Sequence, residues 1–137
     1  MKKIMIVDDN YLSAEGIEKN IDWETLNAEI IHVCYNGTSA IEAMKKEPAD
    51  LIISDIEMPD LDGISMSRQA LEINPMVKII LISAYDKFEY ARRALLLGAL
   101  DYIEKPLDYA YLIQKVKNAF ALMEKEQKNL QLLKQSR

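Results

Sequence analysis

Short apolar runs alternate with amphipathic segments along the chain. The five runs cover residues 3–7, 29–35, 50–54, 78–83 and 101–104. Four of them are nearly continuous in Ile, Leu, Met and Val, which is typical of parallel strands that are covered on both faces. The last run is shorter and more polar, as expected of a strand at the edge of a sheet.

The segments between these runs have the length of crossover helices. Their borders carry residues that begin or end helices. The predicted helices run from about Tyr11 to Asn20, from Asn36-Gly37 to before Pro48, from Asp62-Gly63 to before Asn74-Pro75, from Asp86 (paired with Glu89 as in a capping box) to Gly98, and from the N-cap Asp108 onward. The alternation predicts an α/β fold: a flavodoxin-like, doubly wound, five-stranded parallel sheet, (βα)5, with strand order 2-1-3-4-5.

Composition and charge narrow the class of protein. The chain has 137 residues, half of them hydrophobic, which suits one domain with a full core. Its net charge of −5 argues against direct contact with nucleic acid, which needs clustered Lys and Arg. A single cysteine excludes a disulfide framework. Because no apolar stretch has the length of a secretory signal or the ~18 residues of a membrane span, we expect a soluble, cytoplasmic protein.

Charged residues stand where three of the apolar runs end. Asp8 and Asp9 follow the first run, Asp55 the third and Lys105 the fifth. In a sheet of the predicted order, ligands bind at the carboxyl ends of the strands, in the crevice between the first and third strands. Three carboxylates crowded there repel one another unless a cation lies among them, and the lysine adds a second positive charge. The pattern indicates a site for a divalent metal ion and an anion.

Further short motifs follow the same strand ends. In chain order the motifs are Asp8-Asp9, Asp55, Met58-Pro59, Asp62-Gly63, Ser83-Ala84 and Lys105-Pro106. Taken singly, each is an ordinary cap, turn or surface feature. In this order and spacing they resemble the receiver domain of bacterial two-component response regulators, and the resemblance covers residues 1–122.

The resemblance implies that Asp55 is a phosphoacceptor and that Mg²⁺ is the cofactor. A carboxylate can attack phosphorus and then carry an acyl phosphate. The Mg²⁺ ion would be bound directly by Asp9 and Asp55, through water by Asp8, and by the backbone carbonyl of Glu57. Mg²⁺ prefers oxygen ligands and neutralises the charge on phosphoryl oxygens.

The resemblance also implies a switch. Lys105, with a cis bond to Pro106, would contact one phosphoryl oxygen, and the Ser83 hydroxyl would donate a hydrogen bond to another. Tyr102 would rotate inward as the loop after Ser83 closes. Since these changes favour one of two packings, phosphorylation would shift a population rather than create a new state.

Partners follow from the same resemblance. A sensor histidine kinase would donate the phosphoryl group, and phosphorylation would favour a homodimer. The dimerising surface would be formed by the fourth helix, the fifth strand and the fifth helix, with the residues Phe88, Arg92, Leu95, Tyr102 and Tyr111. The domain would be a signalling module rather than an enzyme, catalysing only its own phosphotransfer and autodephosphorylation.

Two stretches, 21–24 and 83–90, resemble receivers that are joined to AraC-type DNA-binding domains. DNA would then be bound by a missing C-terminal output domain and not by this chain. We expect 123–137 to be a helical extension or the start of a linker to that domain. Apolar residues continue there at heptad spacing, interrupted by Glu126. The extension therefore either projects and pairs with another helix, or frays beyond residue 122.

Two other classes of protein stay open. A phosphorylation-independent, receiver-like interaction module would keep the fold with a silent switch. An aspartyl-phosphate hydrolase of the haloacid dehalogenase type also has a nucleophilic Asp at a strand end. Those enzymes carry Asp-x-Asp, whereas this chain has Asp55-Ile56-Glu57. His32 and Trp23 are predicted to be structural.

Overall fold

The computed structural model describes residues 1–84 and 88–136, in which strands and helices alternate. The strands are β1 (Lys2–Val7), β2 (Ala28–Cys34), β3 (Leu51–Asp55), β4 (Lys78–Ser83) and β5 (Asp101–Glu104). The helices are α1 (Tyr11–Asn20), α2 (Gly37–Lys46), α3 (Gly63–Ile73), α4 (Phe88–Leu97) and α5 (Tyr109–Gln135). Each predicted strand is confirmed to within one residue at either end.

The five strands form one parallel sheet with the order β2-β1-β3-β4-β5. Both the predicted strand order and the edge position of β5 are confirmed. Successive residues of a strand point to opposite faces, and here both faces are apolar. Ile52 packs in the core under α2, α3 and α4, while Leu51 and Ile53 pack in the core under α1 and α5. This double burial is the reason that the strands read as continuous apolar runs.

Side-chain caps fix where four of the helices begin. Asn10, Asn36, Asp62 and Asp108 each accept a hydrogen bond from a backbone N–H in the first turn of the helix that follows. Such caps satisfy N–H groups that have no partner within the helix. Gly98 ends α4 with a φ of +92°, a backbone conformation that favours glycine. The predicted cap Asp86 lies outside the described residues.

Helix α5 continues well past the sheet. Its first turns bury Leu112, Val116 and Ala119. Farther along, Glu126 Oε1 forms an ion pair with Lys78 Nζ at 2.6 Å, at the start of β4. Beyond that pair Leu130 is half exposed, and the helix runs on to Gln135. The helix is therefore continuous through residue 122, whereas a domain boundary there and pairing of the extension stay predictions. None of the helices in residues 1–84 and 88–136 is long and apolar enough to cross a membrane.

Substitution by alanine is expected to have opposite effects on stability at two buried serines. Ser67 is fully buried, and its hydroxyl has no hydrogen-bond partner among the described residues. Ser54 is equally buried, but its hydroxyl donates to the carbonyl of Asp55 at 2.8 Å. We expect Ser67→Ala to raise the free energy of unfolding by up to about 1 kcal/mol and Ser54→Ala to lower it by about 1 kcal/mol. Urea denaturation checks both, and a substantial loss of stability in Ser67→Ala would show that its hydroxyl is paired.

Candidate metal and phosphoryl site

Three acids meet at the carboxyl edge of the sheet. β1 and β3 are neighbours in register, with Val7 opposite Ser54, so Asp8 and Asp55 follow the paired residues directly. Among the described residues, Asp8, Asp9 and Asp55 form a group whose carboxylate oxygens lie within 4.8 Å of one another. The structure thus brings together the three acids that the sequence predicts at this site.

Burial makes this cluster costly to ionise. Asp8 is 2% exposed and Asp55 8% exposed, whereas Asp9 faces solvent. Loss of hydration, together with repulsion from Asp8, raises the pKa of Asp55 from 3.8 to about 6. Burial also raises the pKa of Asp8, which the backbone N–H of Asn10 and the charge of Lys105 partly oppose. A hard divalent cation would relieve this repulsion, so the carboxylate set suits Mg²⁺.

Lys105 lies beside the two buried acids. Its Nζ is 3.5 Å from Asp8 Oδ2 and 3.6 Å from Asp55 Oδ2. The Lys105-Pro106 peptide bond is cis, as the resemblance implied. The backbone N–H of Lys105 donates to the carbonyl of Ser83 at 2.8 Å, which ties the end of β5 to the end of β4. The site therefore combines three carboxylates at the ends of β1 and β3 with one cation at the end of β5.

Ser83 is the last residue of β4, the strand that pairs with β3. It is fully buried, and its hydroxyl donates to Glu57 Oε1 at 3.0 Å. The sequence predicted that the Ser83 hydroxyl and the backbone carbonyl of Glu57 belong to this site. It did not predict that the two side chains bind each other, since this depends on the conformation of the loop after β3.

That loop is held by a close backbone contact. The N–H of Gly63 donates to the carbonyl of Ile56 at 2.7 Å. A Cβ atom at position 63 would lie 2.1 Å from the carbonyl oxygen of Asp55. Glycine is therefore required at position 63, because the backbone of Asp55 lies too close for a side chain. In the sequence, the Asp62-Gly63 motif indicates only a turn.

A cavity of about 390 Å³ opens beside Asp8 and Lys105. It lies between α1 and the β5–α5 connection, and its apolar lining includes Leu12, Ile82 and Leu107. Two residues of the site, Asp8 and Lys105, therefore also line this cavity.

The predicted switch and dimer residues lie on the α4-β5-α5 side. Tyr102 is half-buried and packs against the core under α2, α3 and α4. Leu95 is 77% exposed, and Tyr111 is 44% exposed. Arg92 is exposed and pairs with Glu89 at 3.7 Å, and the side chain of Phe88 lies outside the described residues. Leu95 and Tyr111 are therefore exposed on this side of the molecule, whereas dimerisation through it stays a prediction.

The two residues that we predicted to be structural have local partners. Trp23 is buried, and its Nε1–H donates to the carbonyl of Ile17 at 3.3 Å. His32 Nε2 is 2.9 Å from the carbonyl oxygen of Glu47. Neither residue belongs to the group of acids formed by Asp8, Asp9 and Asp55.

The sheet order and the acid site together define the receiver fold of two-component signalling. The chain belongs to the family described as the response regulator receiver domain, whose match spans residues 4–117. The uncharacterized transcriptional regulatory protein YesN of Bacillus subtilis is 29% identical over 126 residues, which cover 92% of this chain and 34% of that protein. The chain therefore spans about a third of the length of this relative.

Solved structures agree with this assignment. The receiver domain of AraT, a response regulator from Geobacillus stearothermophilus, is 34% identical with a TM-score of 0.86, covering 92% of this chain and 98% of that one. An AraC two-component transcriptional regulator from Clostridium phytofermentans is 30% identical with a TM-score of 0.82, covering 94% and 99%. The likeness to receivers of AraC-type regulators, expected from two short stretches of sequence, is confirmed.

Proposed function

We propose that the chain is a phosphorylation-activated switch in which Asp55 accepts a phosphoryl group from a sensor histidine kinase. The observation that carries this proposal is the convergence of three carboxylates and Lys105 at one sheet edge. Mg²⁺ would be held by Asp9 and Asp55 directly, by Asp8 through water and by the Glu57 backbone carbonyl. The bound Mg²⁺ would neutralise charge on the phosphoryl oxygens.

The environment of Asp55 suits a nucleophile. A carboxyl group with a pKa of about 6 is ionised at neutral pH, yet it is more basic than an ordinary aspartate. One carboxylate oxygen would form a bond to phosphorus as the N–P bond of the phosphohistidine breaks. The electron pair of that bond would remain on the imidazole nitrogen.

The charge of Lys105 would serve the phosphoryl group rather than the metal. We propose that its Nζ, now 3.5–3.6 Å from two carboxylates, contacts a phosphoryl oxygen after transfer. Ser83 would bind a second oxygen, and Tyr102 would follow this movement inward. The α4-β5-α5 surface would then favour a homodimer in the cytoplasm, bringing together two C-terminal AraC-type output domains on DNA.

Intact mass after incubation with acetyl phosphate and Mg²⁺ tests this function. We expect a single phosphoryl adduct that is absent without Mg²⁺ and absent in Asp55→Asn, together with an increase in dimer on size-exclusion chromatography. Absence of any adduct would favour the phosphorylation-independent interaction module. Sustained release of phosphate from small phosphate esters would favour the hydrolase.

Removing the lysine should separate metal binding from signalling. We expect Lys105→Ala to bind Mg²⁺ at least as tightly as the wild type, because the lysine repels the metal ion from the shared carboxylates. The adduct on Asp55 should still form, but without the increase in dimer. Isothermal titration with Mg²⁺ and sizing of the phosphorylated protein measure the two effects. A clearly weaker Mg²⁺ titration would contradict this role for the lysine.

A further inference from the structure

The Ser83 hydroxyl has a specific hydrogen-bond acceptor in this structure. Its Oγ donates to Glu57 Oε1 at 3.0 Å across the gap between β4 and the β3–α3 loop. We infer that Glu57 is a positioning residue: its carboxylate holds the Ser83 hydroxyl in competition with a phosphoryl group on Asp55, and so sets the threshold of the switch. The inference rests on the proposed function.

Backbone hydrogen bonds hold the chain at Ser83 and at Ile56, the residue before Glu57. β3 and β4 pair in register as far as Asp55 and Ile82, and the N–H of Ile56 donates to the carbonyl of Ile82 at 2.9 Å. The carbonyl of Ser83 accepts the N–H of Lys105 at 2.8 Å. Because the backbone is held on both sides, the contact between Glu57 and Ser83 is made or lost mainly by rotation of side chains.

A hydroxyl group has one hydrogen to donate. When this hydrogen is donated to Glu57, it is not available to an oxygen of a phosphoryl group. Both acceptors are anionic, so each bond is of the stronger, charge-assisted kind. Ser83 is fully buried, so solvent does not replace a lost partner. The phosphoryl group must therefore outcompete Glu57 before Ser83 can report phosphorylation.

Glu57 also carries a charge, and this makes a second effect possible. A carboxylate near the site would repel a phosphoryl anion whether or not Ser83 is present. The two effects differ in one respect: competition for the hydroxyl requires Ser83, and charge repulsion does not. A double-mutant cycle that combines substitutions at Glu57 and Ser83 separates them.

Beryllofluoride, a mimic of the phosphoryl group, is the probe for this cycle. Its apparent dissociation constant would be measured by ¹⁹F NMR at saturating Mg²⁺ for the wild type, Glu57→Ala, Ser83→Ala and the double variant. We expect Glu57→Ala to tighten binding about tenfold when Ser83 is present, the size expected for one charge-assisted hydrogen bond. In the Ser83→Ala background the same substitution should change binding less than about twofold.

Two further variants sharpen the test. Glu57→Gln keeps an acceptor oxygen but loses the charge, so its effect should lie between those of the wild type and Glu57→Ala. Asp60→Asn removes a charge from an exposed position in the same loop and should leave binding unchanged. Substitutions at position 57 leave its backbone carbonyl in place, so the proposed metal ligand is retained.

The outcomes are distinct. Equal tightening with and without Ser83 would assign the effect to charge alone and overturn the inference, as would no tightening in Glu57→Ala. Either result would leave the proposed function standing. If the wild type bound no beryllofluoride and formed no adduct with acetyl phosphate, the proposed function would fail, and the inference would fail with it.

Discussion

Asparagine at position 55 is expected to stabilise the protein at neutral pH while abolishing its phosphorylation. Burial and repulsion from Asp8 raise the pKa of Asp55 from 3.8 to about 6. An ionised Asp55 therefore destabilises the folded state, and the difference between these values corresponds to at most about 3 kcal/mol. We expect Asp55→Asn to raise the free energy of unfolding by about 1–3 kcal/mol at pH 7.5 without Mg²⁺.

The raised pKa of Asp55 determines how this gain in stability should depend on pH. The folded state holds the proton of Asp55 more tightly than the unfolded state does. The destabilisation is therefore complete above about pH 6, shrinks as the pH falls from 6 toward 4, and is absent below the unfolded value of 3.8. The gain in Asp55→Asn should follow the same course.

Urea denaturation in EDTA at pH 7.5, 5 and 4 measures this effect. Glu42→Gln, which removes a charge from an exposed position on α2, serves as the matched control and should change stability little. A loss of stability in Asp55→Asn, or a gain that does not change with pH, would contradict the mutual repulsion that we assign to the acids.

Alanine at position 63 is expected to destabilise the fold strongly. The added Cβ would lie 2.1 Å from the carbonyl oxygen of Asp55 and 2.9 Å from the Cα of Ile56. Both are backbone atoms at the end of a central strand, so neither can yield as a flexible side chain would. We expect a loss of about 2–4 kcal/mol in the free energy of unfolding, and weaker phosphorylation as the end of β3 moves.

Gly98→Ala is the control for this effect. Gly98 has a φ of +92° but nothing within 4 Å of its Cβ position, so alanine there costs only the backbone preference, about 1 kcal/mol. Urea denaturation of the two variants compares a steric cost with a conformational one. A loss at position 63 no larger than that at position 98 would show that the β3–α3 loop adjusts freely.

The fold was predictable because the sheet is buried on both sides. Most buried positions of the central strands are apolar, and this leaves a pattern that marks the strands to within one residue. The convergence of Asp8, Asp9 and Asp55 was predictable for a related reason, since the carboxyl ends of parallel strands meet at one edge.

Contacts made by loops and by distant side chains were not predictable in this way. The bond between Ser83 and Glu57 depends on the path of the β3–α3 loop, which the hydrophobic pattern does not encode. Glu126 reads in the sequence as an interruption of a heptad seam. In the structure it is the residue that pairs with Lys78, so the interruption has a local reason.

The measurement that tests the central claim most directly locates the phosphoryl group. Borohydride reduces an acyl phosphate to the corresponding alcohol, so reduction after treatment with acetyl phosphate and Mg²⁺ marks the acceptor permanently. Peptide mass mapping then identifies the reduced residue. We predict homoserine at position 55 alone. Reduction at Asp8 or Asp9 instead, or at no aspartate, would contradict the assignment of Asp55 as the phosphoacceptor.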